Sequence, residues 1–182
     1  HLPYFNYALP DAEKLARNDQ MMYRAIEASV FAGAKYAVIH PHRDAGGNTQ
    51  IKGTIEKLSA YNEAAKKIGL TLCVENMFAT TAEQLCQIVD ALDCGACWDV
   101  GHANLRGHEQ YPSITLLGKR LKTVHLHDND GKGDQHLPPY MGTIDWPGIV
   151  HALRDAGYTG DFNFEVGAAR LPMSARMDYL RY

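Results

Sequence analysis

No apolar run in the sequence is long enough to cross a bilayer. The strongest stretches, such as Tyr36-Ala37-Val38-Ile39, have the length of a strand, and nothing resembles a signal peptide, so no membrane partner is expected. Basic residues are in short supply: 18 Lys and Arg stand against 21 Asp and Glu, a net charge of −3. That balance gives no electrostatic reason to expect nucleic acid or an anionic lipid surface as a partner. Cysteine is scarce too. Cys94 and Cys97 form a CxxC, but no second pair completes a zinc site. Cys73 and Cys86 sit in apolar patterns that read as core, and four reduced cysteines fit a cytoplasmic protein. Linkers, low-complexity tracts and a second domain are missing. What is present is 46% hydrophobic and 21% charged over 182 residues, ordinary for a globular protein with one sizeable core.

The repeating unit is a short apolar strand, a polar residue at its end and an amphipathic helix. Strands are expected over 36–39, 70–74, 96–98, 122–124 and 161–164, and helices over 19–33, 49–68, 81–92, 114–121 and 146–156. Ile51, Ile55, Leu58 and Ala65 approximate a 3.6-residue stripe that Gly69 is placed to end. Thr81 is placed to cap the next helix, with Ala82, Leu85, Ile88 and Val89 on one face. Strands alternating with helices imply a parallel sheet. The expected architecture is α/β, a (β/α)8 TIM barrel forming one domain over 1–182, incomplete at the N-terminal end and about two units short of closure. His1 opens the chain within a motif, after a strand that would lie before it, and 180–182 read as the middle of a helix. Open sheet edges would favour association into a homo-oligomer.

In such a barrel the C-terminal strand ends surround one mouth, so residues far apart in sequence converge there. The strand-end residues are His1, His40, Glu75, Asp99, His125 and Glu165. Alone, each would read as a capping or solvated polar group. Together, Glu75, Asp99, His125 and Glu165 supply three carboxylates and an imidazole, and three carboxylates repel unless a cation neutralises them. One divalent ion (Mn²⁺, Mg²⁺, Co²⁺ or Zn²⁺) is therefore expected, the oxygen-rich set leaning toward Mn²⁺.

Several motifs then resemble a known group. They are Val74-Glu75-Asn76, Trp98-Asp99-Val100-Gly101-His102, Val124-His125-Leu126-His127-Asp128, Asp134-Gln135-His136-Leu137-Pro138, Gly142-Thr143-Ile144-Asp145-Trp146 and Phe164-Glu165. Each is short, but their order and spacing over nearly the whole chain resemble the xylose-isomerase-like barrel superfamily, in its sugar phosphate isomerase/epimerase-type branch. The resemblance implies that Glu75, Asp99, His125 and Glu165 bind one divalent metal and that Glu75 and Glu165 move protons. The same superfamily includes endonuclease IV-type DNA repair enzymes with three zinc ions, whose extra ligands match His1, His40, His102, Asp134 and His136. All five are present, so additional zinc ions stay open. The run Leu126-His127-Asp128-Asn129-Asp130-Gly131 resembles the sugar branch, and sparse Lys and Arg argue against a DNA groove.

Two roles stand open for His102, a contact to a substrate hydroxyl or a loop-satisfying hydrogen bond. Asp134 and His136 are open between substrate, a second metal and ordering of the 129–139 loop. Asp128-Asn129-Asp130-Gly131 is discounted as a calcium loop, because Leu126 stands where the first acid belongs and no closing Glu follows. His42 reads as an exposed loop residue, Trp146 as packing at a helix start, and Gly46-Gly47-Asn48 as a turn. Three functions follow: a metal-dependent isomerase or epimerase (or related dehydratase) taking a small sugar-like substrate, a multinuclear phosphodiesterase acting on abasic DNA, or a metal-bearing barrel without turnover.

Overall fold

The alternation of strand and helix becomes a parallel sheet whose strands stand side by side in chain order. The computed structural model that gives this arrangement describes residues 1–4 and 12–167. Among them the strands are Tyr36–Ile39 (β1), Thr71–Glu75 (β2), Gly95–Asp99 (β3), Leu121–Leu126 (β4) and Phe162–Phe164 (β5). The helices are Ala12–Phe31 (α1), Ile51–Lys67 (α2), Ala82–Leu92 (α3), Val100–Leu105 (α4), Gln110–Leu117 (α5) and Trp146–Asp155 (α6). The sheet curls into half a barrel with helices in its crossovers, the expected α/β architecture of an incomplete TIM barrel. Residues 1 and 2 extend it: the Leu2 N–H donates to the Val38 carbonyl at 2.8 Å, so His1 lies beside the end of β1. The helix expected at 180–182 lies outside the described residues.

Local chemistry explains the element boundaries. Thr81 accepts from the Gln84 N–H while the Gln84 side chain accepts from the Thr81 N–H, a reciprocal cap that starts α3. Gly69 and Gly157 take φ of +77° and +71°, which turns the chain out of α2 and α6 without a Cβ clash. Two expectations need correction. The helix placed at 114–121 starts at Gln110 and stops at Leu117, because Gly118 at φ +47° breaks it into one 3₁₀ turn and frees Leu121 to open β4. The first helix is already formed at Ala12, the first described residue of that stretch, rather than from 19.

Side chains alternate across each strand, and the two faces differ in kind. Leu72, Val74, Ala96, Trp98, Val124 and Leu126 face the helices and join one large core with Leu85, Ile88, Ile114 and Ile149. Each fully buried Leu or Ile there contributes about 1.5–3 kcal/mol relative to exposure. The other face carries Val38, Cys73 and Cys97 as a small separate apolar layer, with Glu75 and Asp99 next along β2 and β3 and His125 on the neighbouring β4. That concave face encloses about 1010 Å³, from Lys35 and Lys119 at one end to His1, His125 and Glu165 at the other.

Candidate metal centre

Parallel pairing brings the strand ends to one mouth in a staggered register, with Glu75 beside Cys97 and His125 beside Asn163. Glu75 and Asp99 are the last residues of β2 and β3, His125 pairs with Asp99 across β3 and β4, and Glu165 follows β5 directly. One ligand atom from each of the four lies within 4.8 Å of the others. The Nδ1–H of His125 donates to Glu75 Oε1 at 2.8 Å, and the same nitrogen is 3.8 Å from Asp99 Oδ2 and 3.6 Å from Glu165 Oε1. Three carboxylates and an imidazole facing one point are a donor set that suits a hard or borderline divalent ion, so these residues fit the expected metal.

Glu75 is the most heavily partnered member. His1 Nε2 and His40 Nε2 each lie 3.0 Å from its Oε2, with their rings edge to face at 4.5 Å. Burial opposes its charge, yet bonds from His1, His125 and His40 outweigh burial and hold its carboxyl well below the usual carboxylate range. Burial likewise opposes protonation of His1 and His125, but their bonds to Glu75 win and raise both. Cys97 lies below the cluster. Burial, then the charges of Glu75 and Asp99, push its thiol well above the ordinary value.

A second group adjoins the first through Asp99. The His102 Nδ1–H donates to the Asn76 carbonyl at 2.9 Å, and the His136 Nδ1–H to the Glu165 carbonyl at 2.7 Å. Their Nε2 atoms turn toward Asp134 Oδ2, at 3.9 and 3.3 Å. The bond to Asp134 outweighs burial and raises the His136 pKa to about 9. All nine residues singled out from the sequence thus gather around one mouth. His102 makes the expected loop bond yet keeps one nitrogen for another partner. His136 both orders its loop, accepting from the Gly167 N–H at 2.7 Å, and faces the site.

His127 was not singled out. It is fully buried, with Nε2 at 3.1 and 3.2 Å from the two oxygens of Asp99, and its ring stacks on His136 at 3.9 Å and 8°. It belongs to two of the residue groups able to hold a metal, one with Asp99 and His102 and one with His136 and Glu165. Period-two alternation from His125 was the signal that could have found it. α4 was also unexpected: Asp99 Oδ1 accepts from the His102 N–H at 2.7 Å and caps it.

Other motif residues organise the mouth. Asn76 donates to the Asp99 carbonyl at 2.9 Å and accepts from the Asp99 N–H at 2.6 Å, locking β2 to β3. Buried Asp128 accepts from the Asn129 and Ile144 N–H groups and from Trp146 Nε1–H at 2.8 Å. Its carboxylate holds a loop, while Trp146 packs at the start of α6 in the core. Gly142 passes so close to Asn129 that a Cβ would sit 2.2 Å from its carbonyl oxygen, which accounts for glycine there. A Cβ at Gly101 would lie 2.0 Å from His127 Cε1. Gly101→Ala is therefore expected to destabilise the fold by about 1–3 kcal/mol through overpacking. Urea unfolding checks this, and an unchanged midpoint would mean that His127 can shift at no cost.

The chain belongs to the xylose isomerase-like TIM barrel family, whose model matches residues 1–182. It superimposes on a D-tagatose 3-epimerase-like protein with a TM-score of 0.81 and 25% identity, covering 100% of this chain and 76% of that one. A probable endonuclease 4 from Mycoplasmoides gallisepticum is 25% identical over 182 residues, 84% of this chain and 58% of that protein. Fructoselysine 3-epimerase from Shigella flexneri is 24% identical over 168 residues, 86% of this chain and 61% of that protein. The chain spans less than half the length of relatives from Methanocaldococcus jannaschii and Sinorhizobium fredii that it matches at 31–36% identity. No helix among the described residues is long and apolar enough to cross a membrane.

Proposed function

We propose that the protein is a divalent-metal-dependent isomerase or epimerase acting on a sugar, a sugar phosphate or a related polyol carbonyl compound in the cytoplasm. The observation that carries this reading is the convergence of Glu75, Asp99, His125 and Glu165 on one point at the mouth of the curled sheet. The likeness to a D-tagatose 3-epimerase-like structure and to fructoselysine 3-epimerase supports the choice of substrate class. The ion, held by those four residues, would polarise the substrate carbonyl and its neighbouring hydroxyl and so acidify the carbon-bound proton between them. Glu165, half-exposed on the cavity, takes that proton to give an enediolate, and the proton for the inverted or transposed product is delivered through Glu75, which draws it from the His1 imidazolium bonded to its Oε2. His1 and His40 hold Glu75 in place, and His102 Nε2 is available to bind a substrate hydroxyl.

A specific observation favours a second reading. His102 and His136 both carry their proton on a backbone-bonded Nδ1 and turn Nε2 toward Asp134, as ligands of a further ion would. With the endonuclease 4 relative, this supports multinuclear zinc phosphodiester hydrolysis. One experiment separates the two. Metal-loaded protein is offered a panel of ketoses, their phosphates and inosose-like compounds in deuterated water, and in parallel a duplex with one abasic site. Metal-dependent exchange of carbon-bound hydrogen is expected. Duplex cleavage well above a metal-only blank would transfer the proposal to the nuclease, and neither activity would leave a non-catalytic barrel.

A further inference from the structure

We propose that His127 is a positioning residue that keeps the mouth a one-ion site: it donates its Nε2–H to Asp99 where a second cation would otherwise bind. The inference rests on the metal reading above and deepens it. Proton placement carries the argument. His127 Nδ1 is buried and meets no partner among the described residues, so a proton there would be stranded. The proton therefore sits on Nε2, within 3.1 and 3.2 Å of the Asp99 oxygens, and that nitrogen could ligate a metal only by moving its proton to the unpartnered Nδ1. His102 and His136 have the opposite arrangement, since backbone carbonyls hold their Nδ1–H groups and leave Nε2 free to ligate.

Position completes the case. Asp99, His102, Asp134 and His136 are the side chains that would surround a second ion. His127 stands among them, with Nε2 3.9 Å from Asp134 Oδ1 and its ring flat against His136. Its ring cannot retreat, because Gly101 packs directly behind it. An ion entering this space meets an N–H donor and an Asp99 carboxylate already engaged by it. Both Asp99 oxygens are occupied in this way, one of them by the His102 N–H as well. Removing the imidazole frees the carboxylate and opens the space together.

The test is metal stoichiometry. Wild-type protein, His127→Ala and His127→Gln are dialysed to equilibrium against zinc chloride alone and, separately, manganese chloride alone. Bound metal per chain is then read by elemental analysis, with circular dichroism and melting as checks on folding. One ion is expected in the wild type and about two in His127→Ala. One is expected in His127→Gln, whose amide N–H reaches Asp99 from nearly the same place. Adding Asp134→Ala to His127→Ala should return the count to one. Should His127→Ala fail to fold, His127→Asn carries the same expectation with a polar group retained. Unchanged stoichiometry in the folded variants would overturn the inference. So would a wild type holding two ions that loses one in His127→Ala, which would make His127 a ligand. A wild type that binds no metal would instead overturn the metal reading beneath it.

Discussion

Glu165→Gln should lower turnover, and exchange of the substrate's carbon-bound hydrogen with deuterated water, by about 10²–10⁴-fold, the usual contribution of a positioned general base. The amide keeps the size of the side chain and an oxygen for the ion, so metal content should stay near that of the wild type. On the proposed reading, Glu165 carries the larger share of proton removal. Its side chain is 35% exposed toward the cavity, with its nearest His125 contact at 3.6 Å, whereas Glu75 is 1% exposed and clasped by three imidazoles. Those bonds hold the Glu75 carboxyl well below the usual range and make it the weaker base. Glu75→Gln should therefore reduce metal content as well as rate, because the new amide would point an N–H at a histidine nitrogen. Full exchange activity in Glu165→Gln with metal retained would remove Glu165 from the chemistry and leave it a ligand only.

Asp99→Ala should abolish the stabilisation that metal gives. An ion present at 100 times its dissociation constant raises stability by about 2.7 kcal/mol, and this increment should vanish from melting curves taken with and without manganese or zinc. The metal-free protein should lose stability too. The substitution removes the cap of α4, about 0.5–2 kcal/mol, and strands the His127 Nε2–H, about 1–3 kcal/mol. Relief of repulsion among the remaining carboxylates offsets part of that loss. Unchanged metal content in both Asp99→Ala and Glu165→Ala, by elemental analysis, would show the four-residue assignment to be wrong.

The strand ends were legible because each is an apolar run of strand length closed by one polar residue. Glu75 after Val74 and Asp99 after Trp98 needed no further information. α4 is not legible: it has six residues, too few for a periodic stripe, and its start depends on Asp99, whose side chain reads in the sequence as a metal ligand. The boundary of α5 moved because the apolar pattern runs on through Leu121 while Gly118 breaks the backbone. The approach of Asp134 and His136 to the site rests on pairing of Asp128 with Leu137 across their loop, which no local pattern announces. His127 is hidden inside a motif, although its register with His125 places it on the same face.

Trp98 and Asp99 are neighbours in the chain, yet they serve opposite sides of β3. The tryptophan is locked among helices, its indole N–H bonded to Gln110 at 2.9 Å, while the aspartate faces the cavity. The same division runs through β2 and β4. Foldedness and chemistry are thus written on alternate letters of the same strands. A lineage carrying this sheet could exchange cavity-facing residues, and with them its substrate, without spending the core that keeps the chain folded. The cost of such drift would fall on residues like Asp99, whose one carboxylate serves helix α4, His127 and the expected ion at once, and there innovation should be slowest.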